Sequence, residues 1–326
     1  MKDFFCLCPE VCSAVDVIVD SRFFCGNGPG CGLPDWLTAG FNRIRSDNGL
    51  VSLFRGPSGE PVSVTAFDDV LTFAGSSASF DRIDVGVWEK KAVCPANASG
   101  EGNRAVGAER NVSSSVQSVL PPILREFFVR HGLLLMHSAA LRLDGGKGIL
   151  IAADGGGGKT TTAISLVRRG AKLLGDDLNA LDISDGGIKV LGFPEMMNIT
   201  PETMSFFAEL EDAPSRVPEG YSGHKKVVAP SDVYGEDCMA EEAEVKVVYF
   251  VRVSNEGPRV KRLGSAEAMG RLIHCQTFAN GQVPDDFVFS RLSDLLENAK
   301  AYVLETGKSP EKLGEWIIGN VDEQSR

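Results

Sequence analysis

Short apolar runs broken by glycine- and proline-rich punctuation set the pattern of the first ninety residues. Residues 15–19, 50–54 and 61–65 concentrate Val, Ile, Leu and Phe over five positions each, which predicts strands. Gly26-Asn27-Gly28-Pro29-Gly30 and Gly56-Pro57-Ser58-Gly59 read as turns between them. The stretch 94–114 is small, polar and turn-rich, and reads as a linker or mobile loop. A helix is expected from Pro121-Pro122, where proline suits a first turn, to about Arg130. Ile123, Leu124, Phe127 and Phe128 would form its apolar face, with Gly132 as its stop.

Beyond Gly132 the period changes. Residues 133–136 and 148–153 are continuous apolar runs of buried-strand length, followed by a glycine-rich loop and a helical stretch over 159–169. Residues 171–174, 189–191, 227–228 and 244–253 read as further strands, and 265–274, 285–305 and 310–317 as helices. Strands and helices interleave, which predicts an α/β architecture. The domains expected are a β-rich one at 1–93, the linker at 94–114, and a larger one at 115–326. No repeat of solenoid period appears.

Composition narrows the function classes. Of 326 residues, 43% are hydrophobic and 24% charged, as in a globular chain. The net charge of −11 argues against nucleic acid as partner, because a phosphate backbone demands a basic face. No apolar run approaches the roughly 18 residues of a membrane span, and the start makes a poor signal peptide, so a cytoplasmic chain is expected. Five of the eight cysteines fall within the first 31 residues (Cys6, Cys8, Cys12, Cys25 and Cys31). None forms a Cys-x-x-Cys knuckle, so reduced thiols are the simpler reading than a metal site.

The chemistry concentrates after residue 153. Asp154-Gly155-Gly156-Gly157-Gly158-Lys159-Thr160 fits the P-loop pattern except at its first position, where Ala153 replaces glycine. Glycines let successive N–H groups turn inward around phosphate oxygens. Lys159 would meet the β- and γ-phosphates and Thr160 a Mg²⁺ ion, with Thr161 next along a helix whose N-terminus favours an anion. One short helix later comes Gly175-Asp176-Asp177. Taken alone it is more often a solvated turn; beside a phosphate loop, two carboxylates can divide metal binding and proton removal. His137 closes the first apolar run, and a hairpin through Asp144-Gly145-Gly146 could carry it to the acids. A structural role for it is equally open. Gly220-Tyr221-Ser222-Gly223-His224-Lys225-Lys226 offers His224, Lys225 and Lys226 to an anionic substrate, or is simply a solvated basic turn.

The ordered set of His137, the loop with Lys159, Leu166-Val167-Arg168-Arg169-Gly170 and the paired aspartates resembles the HPr kinase family. That family lies within the phosphoenolpyruvate carboxykinase-like P-loop proteins. The resemblance spans roughly residues 133–182 and implies a P-loop core with a mixed sheet, using ATP and Mg²⁺. It implies Asp176 as base assisted by His137, with Thr160, Asp177 and, farther on, Glu195 near the metal. The family's downstream Arg-Gly signature and its protein-recognition segment are not found. The chain is therefore more similar to divergent HPr kinase-related enzymes, with a small-molecule or peptide acceptor and a homo-oligomeric assembly as the expected partners. A nucleotide-sensing module without phosphoryl transfer is the alternative.

Overall fold

The computed structural model describes residues 16–19, 42–47, 51–55, 61–67, 70–76 and 82–89, then 125, 128–153, 156–184, 187–193, 196–216, 224–275 and 286–324. The linker at 94–114, most of the helix expected at 121–130, the turns at 26–30 and 56–59, and the five early cysteines lie outside them. Two candidate site residues, Gly155 and Glu195, do so as well. The chain divides into two units, one carrying the first six strands and the other beginning at Phe128.

In the first unit, β1 (Asp16–Val19), β2 (Asn42–Asp47), β3 (Val51–Arg55), β4 (Pro61–Phe67), β5 (Val70–Ser76) and β6 (Arg82–Glu89) form one sheet in the order β1-β6-β5-β4-β3-β2. Strands β2 to β6 are an antiparallel meander, and β1 pairs in parallel with β6. The strands expected at 15–19, 50–54 and 61–65 are all present.

The second unit is α/β. Its strands are β7 (Leu133–His137), β8 (Ala139–Arg142), β9 (Lys147–Ala152), β10 (Lys172–Gly175), β11 (Leu178–Ser184) and β12 (Gly187–Leu191), then β13 (Met197–Ile199), β14 (Lys226–Val228), β15 (Glu242–Arg252), β16 (Arg259–Arg262) and β17 (Lys300–Glu305). Its helices are α1 (Lys159–Val167), α2 (Pro201–Phe206), α3 (Pro230–Tyr234), α4 (Ser265–His274), α5 (Asp286–Asn298) and α6 (Pro310–Gln324). The helix expected over 285–305 stops at Asn298, and residues 300–305 are a strand instead. Ala301 to Leu304 carry Tyr and Val, which favour a pleated surface, and six residues pair in parallel with β15. Tertiary pairing overrides the helical reading there.

The main sheet runs β10-β8-β9-β15-β12-β11-β7, with β17 and then β16 attached beside the second half of β15. Its strands β8, β9 and the second half of β15 are buried on both faces, and alternate residues feed separate layers. Ile149, Ile151, Val247 and Tyr249 face α1 and α6, through Ile164, Leu166, Leu313 and Ile317. Leu150, Ala152, Val248 and Phe250 face α4 and α5, through Ala268, Leu272, Leu292 and Leu295. No described helix is long and apolar enough to cross a membrane.

The sheet cannot be flat. From Gly175 at the end of β10 to Leu178 at the start of β11 is three Cα steps, at most about 11 Å of chain. The strand order puts five spacings between those strands, about 24 Å in a flat sheet. The sheet must therefore curl until its ends meet, and Asp176 and Asp177 bridge that seam. Ser138 bridges it a second time, joining β7 at one end to β8 near the other. The two bridges are bonded to each other, with Ser138 N–H donating to the Asp177 carbonyl at 3.2 Å.

Candidate functional site

The phosphate loop follows β9 directly. Gly156 and Gly158 hold φ of 76° and 97°, the left-handed region that side chains with a Cβ avoid, so the turn into α1 needs glycine at both. A Cβ on Gly156 would meet nothing within 4 Å, so its φ and not crowding is what asks for glycine there. Lys159 begins α1, and its ammonium lies 3.4 Å from the Ala153 carbonyl, curled back over the loop. Thr160 points the other way, into the sheet, and its hydroxyl donates to Asp176 Oδ2 at 2.9 Å. Thr161 turns outward: its hydroxyl shares a 2.8 Å hydrogen bond with Thr203 and ties α1 to α2.

The seam sets the two aspartates in different surroundings. Asp176 is 3% exposed. Burial raises its pKa from 3.8 to about 6; the Thr160 hydrogen bond opposes the rise, the Asp177 charge adds to it, and Lys159 and Lys225 pull against it. The Asp177 side chain is 61% exposed and accepts from His137 Nε2 at 2.8 Å. That hydrogen bond, above all, holds its carboxyl below the usual range. The pairing is crosswise to the one the resemblance implied, with Thr160 on Asp176 and His137 on Asp177.

His137 reaches the acids by a different route from the hairpin expected. The turn through Asp144-Gly145-Gly146 does form, but it joins β8 to β9. His137 ends β7, which pairs with β11 so that His137 lies opposite Leu178, one residue beyond Asp177. Fully buried Asn179 fixes this corner, donating from Nδ2 to the Ser138 carbonyl at 2.5 Å and to its hydroxyl at 3.2 Å. Neither Asn179 nor Ser138 carries a motif, and only the strand order reveals them.

The basic segment divides. Lys225 lies close enough for its charge to lower the pKa of both aspartates. Lys226 is turned away, its ammonium bonded to the carbonyls of Leu210 at 2.8 Å and Glu211 at 2.7 Å. His224 is exposed at the segment's start.

Compared with known protein families and with curated proteins, the chain matches none. Among solved structures, 58% of it aligns with 88% of the Hpr(Ser) kinase/phosphatase from Coxiella burnetii, at 13% identity and a TM-score of 0.34. A likeness of that strength leaves the functional conclusion to the site's own geometry.

That geometry suits a phosphate chain with a hard divalent cation. Thr160 and Asp176 present oxygen donors side by side at the helix start, the ligand type Mg²⁺ takes. Among the described residues no group of three or more His, Cys, Asp or Glu forms a ready-made metal cage. A magnesium bound largely through substrate phosphates and water needs none. The described site gathers two acids, a histidine and two lysines near the glycine turn at Gly156–Gly158.

Proposed function

We propose that the chain is an ATP-dependent phosphotransferase acting on a hydroxyl of a small molecule or peptide. The observation that carries this reading is the split between the adjacent acids: Asp176 is buried on the loop threonine, and Asp177 is exposed on His137. A protein that only held a nucleotide would need the first pair but not the second.

Loop N–H groups and the α1 N-terminus would cradle the β- and γ-phosphates, with Lys159 swinging from the Ala153 carbonyl onto them. Thr160 and Asp176 would hold Mg²⁺, which when bound offsets phosphate charge. We assign Asp177 rather than Asp176 the proton, because an acceptor hydroxyl must reach its base and Asp176 is enclosed. The acceptor oxygen bonds to the γ-phosphorus as the bridging oxygen leaves with ADP, and the hydroxyl proton passes to the Asp177 carboxylate. A loose transition state asks for orientation more than for a strong base, which suits a carboxylate of lowered pKa. His137 Nε2–H holds that carboxylate in place, and Lys225 contributes positive charge on the acceptor side.

The test is ADP release across a panel of hydroxylated metabolites, amino acids and peptides. Acceptor-dependent ADP that disappears in Asp177→Asn supports transfer. Tight ATP binding with no turnover on any acceptor favours the alternative, a nucleotide-sensing module.

A further inference from the structure

Strand β16 lies at an edge of the main sheet. Among the described residues it pairs with β17 alone, so one side of its backbone has no partner strand. Two hydrogen bonds tell which groups stand on that side. Leu263 N–H donates to the Ala301 carbonyl at 2.9 Å, and Thr306 N–H to the Arg252 carbonyl of β15 at 3.1 Å. In an antiparallel pair, residues whose N–H and C=O point at the partner alternate with residues whose groups point away. The register runs without a shift from Arg259↔Glu305 through Lys261↔Val303, in step with Leu263 and Ala301. Odd-numbered residues of β16 therefore bond to β17, while Val260 and Arg262 turn their N–H and C=O outward. The Thr306 bond agrees, since even-numbered residues at this end of β17 serve β15.

The side chains decide what can pair there. Val260 is partly buried against the layer of α1 and α6, which holds the strand down. Arg259, Lys261 and Arg262 are exposed. Arg259 is already compensated, by buried Glu305 and by Glu256 at 2.7 Å. Lys261 and Arg262 form no ion pair among the described residues, and strand alternation sends them to opposite faces.

Proteins close an open edge with proline, a bulge or charge. Proline or a bulge closes it to every partner, but β16 contains no proline and its ladder with β17 has no irregularity. Charge closes it only to partners of like sign. A second copy laying its own β16 alongside would bring lysine and arginine against lysine and arginine. An acidic strand would be attracted instead. In a chain of net charge −11, this basic strand runs against the overall balance.

We propose that β16 is a docking strand for an acidic, extended peptide segment of a partner protein. The segment adds to the sheet, pairing its backbone with the outward groups of Val260 and Arg262. Its Asp or Glu side chains meet Lys261 on one face and Arg262 on the other. A polyanion without peptide groups could use the charges but not the backbone. In the order β9-β15-β17-β16 the strand stands three spacings, about 14 Å, from the one that carries the phosphate loop. The surface is thus separate from that loop and does not depend on the function proposed above.

The experiment is fluorescence anisotropy of the full chain with a short labelled peptide alternating Glu with Val. Two controls accompany it: the same peptide with Lys for Glu, and the Glu peptide N-methylated throughout, which keeps its charge but has no backbone donor. The Glu peptide is expected to bind at least about tenfold more tightly than either control. Val260→Pro removes an outward N–H that the ladder does not use, and should weaken the Glu peptide about three- to tenfold. Lys261→Glu combined with Arg262→Glu should reverse the preference toward the Lys peptide. A wild-type chain that binds neither peptide, or both alike, overturns the proposal. Undiminished binding of the N-methylated peptide overturns it too, because charge without strand pairing would then suffice. A concentration-dependent dimer that Val260→Pro dissolves would assign the edge to a second copy instead. Should Val260→Pro misfold, the N-methylated peptide decides with the unaltered chain.

Discussion

Asp176 is a carboxylate placed where the fold is worse off for its charge. With its pKa raised from 3.8 to about 6, the folded chain holds that proton more tightly than the unfolded chain does. Stability from this group is therefore full below about pH 4 and falls as pH rises toward 6. Asp176→Asn keeps an acceptor for Thr160 and removes the charge, so it should stabilise the apo protein at pH 7.5 by up to about 3 kcal/mol. At pH 4 it should gain nothing. Thermal unfolding at the two pH values checks this, and an Asn variant no more stable than wild type at pH 7.5 contradicts it. The same variant should lose Mg²⁺-dependent nucleotide binding. Asp177 behaves in the opposite sense: Asp177→Asn and His137→Gln should leave nucleotide affinity in place and lower kcat by about 10²- to 10⁴-fold. Steady-state kinetics beside direct binding separates the two acids. That both acids would lie near the glycine loop was legible from Gly175-Asp176-Asp177 following it. Which of them meets Thr160 was not, because it depends on how a curled sheet closes on itself.

Elements explain that limit. Strand β9, the loop and α1 were readable because apolar run, glycines and helix follow one another locally. Helix α4 was readable for the same reason, and 265–274 is its span in both readings. The seam was not readable, since it joins strands 41 residues apart through Asn179 and Ser138. Strand β17 was misread as helix because its partner β15 lies some fifty residues earlier. Two predictions belong at this scale. Asn179→Ala strips a donor from two buried Ser138 oxygens and should cost about 1–3 kcal/mol, with kcat falling further than stability explains as His137 and Asp177 drift apart. A variant that unfolds at the wild-type midpoint with full kcat would remove the seam from the site's architecture. On α6, a Cβ at Gly314 would lie 2.1 Å from the Ser165 carbonyl of α1, while one at Gly319 meets nothing within 4 Å. Gly314→Ala should therefore destabilise by about 1–3 kcal/mol or more through overpacking. Gly319→Ala, in the same helix, should stabilise by up to about 1 kcal/mol. Denaturant midpoints of the pair test whether close backbone approach, rather than helix propensity, decides the α1–α6 contact.

At the scale of the whole molecule the chain is acidic, with a net charge of −11, yet its proposed ligand is a polyanion. Long-range attraction then opposes binding, and affinity must come from groups within a few ångströms: loop N–H donors, Lys159, Lys225 and the helix start. Added salt screens the distant repulsion more than these close contacts. Nucleotide affinity should consequently fall little, or even rise, between low and physiological ionic strength, unlike that of a basic phosphate binder. The site lies wholly within the unit that begins at Phe128. Mg²⁺ with a non-hydrolysable ATP analogue should thus raise the unfolding temperature of the calorimetric transition that carries this unit. Ligand at a hundred times its Kd is worth about 2.7 kcal/mol to the folded state. Lys159→Ala should abolish the shift while lowering the apo transition only slightly, because among the described residues its ammonium makes one long hydrogen bond, to Ala153, and otherwise acts on the two aspartates through its charge. A shift that survives Lys159→Ala would place the nucleotide away from the glycine loop. A steep loss of affinity with salt would mean that a wider basic surface, not these close donors, holds the phosphates.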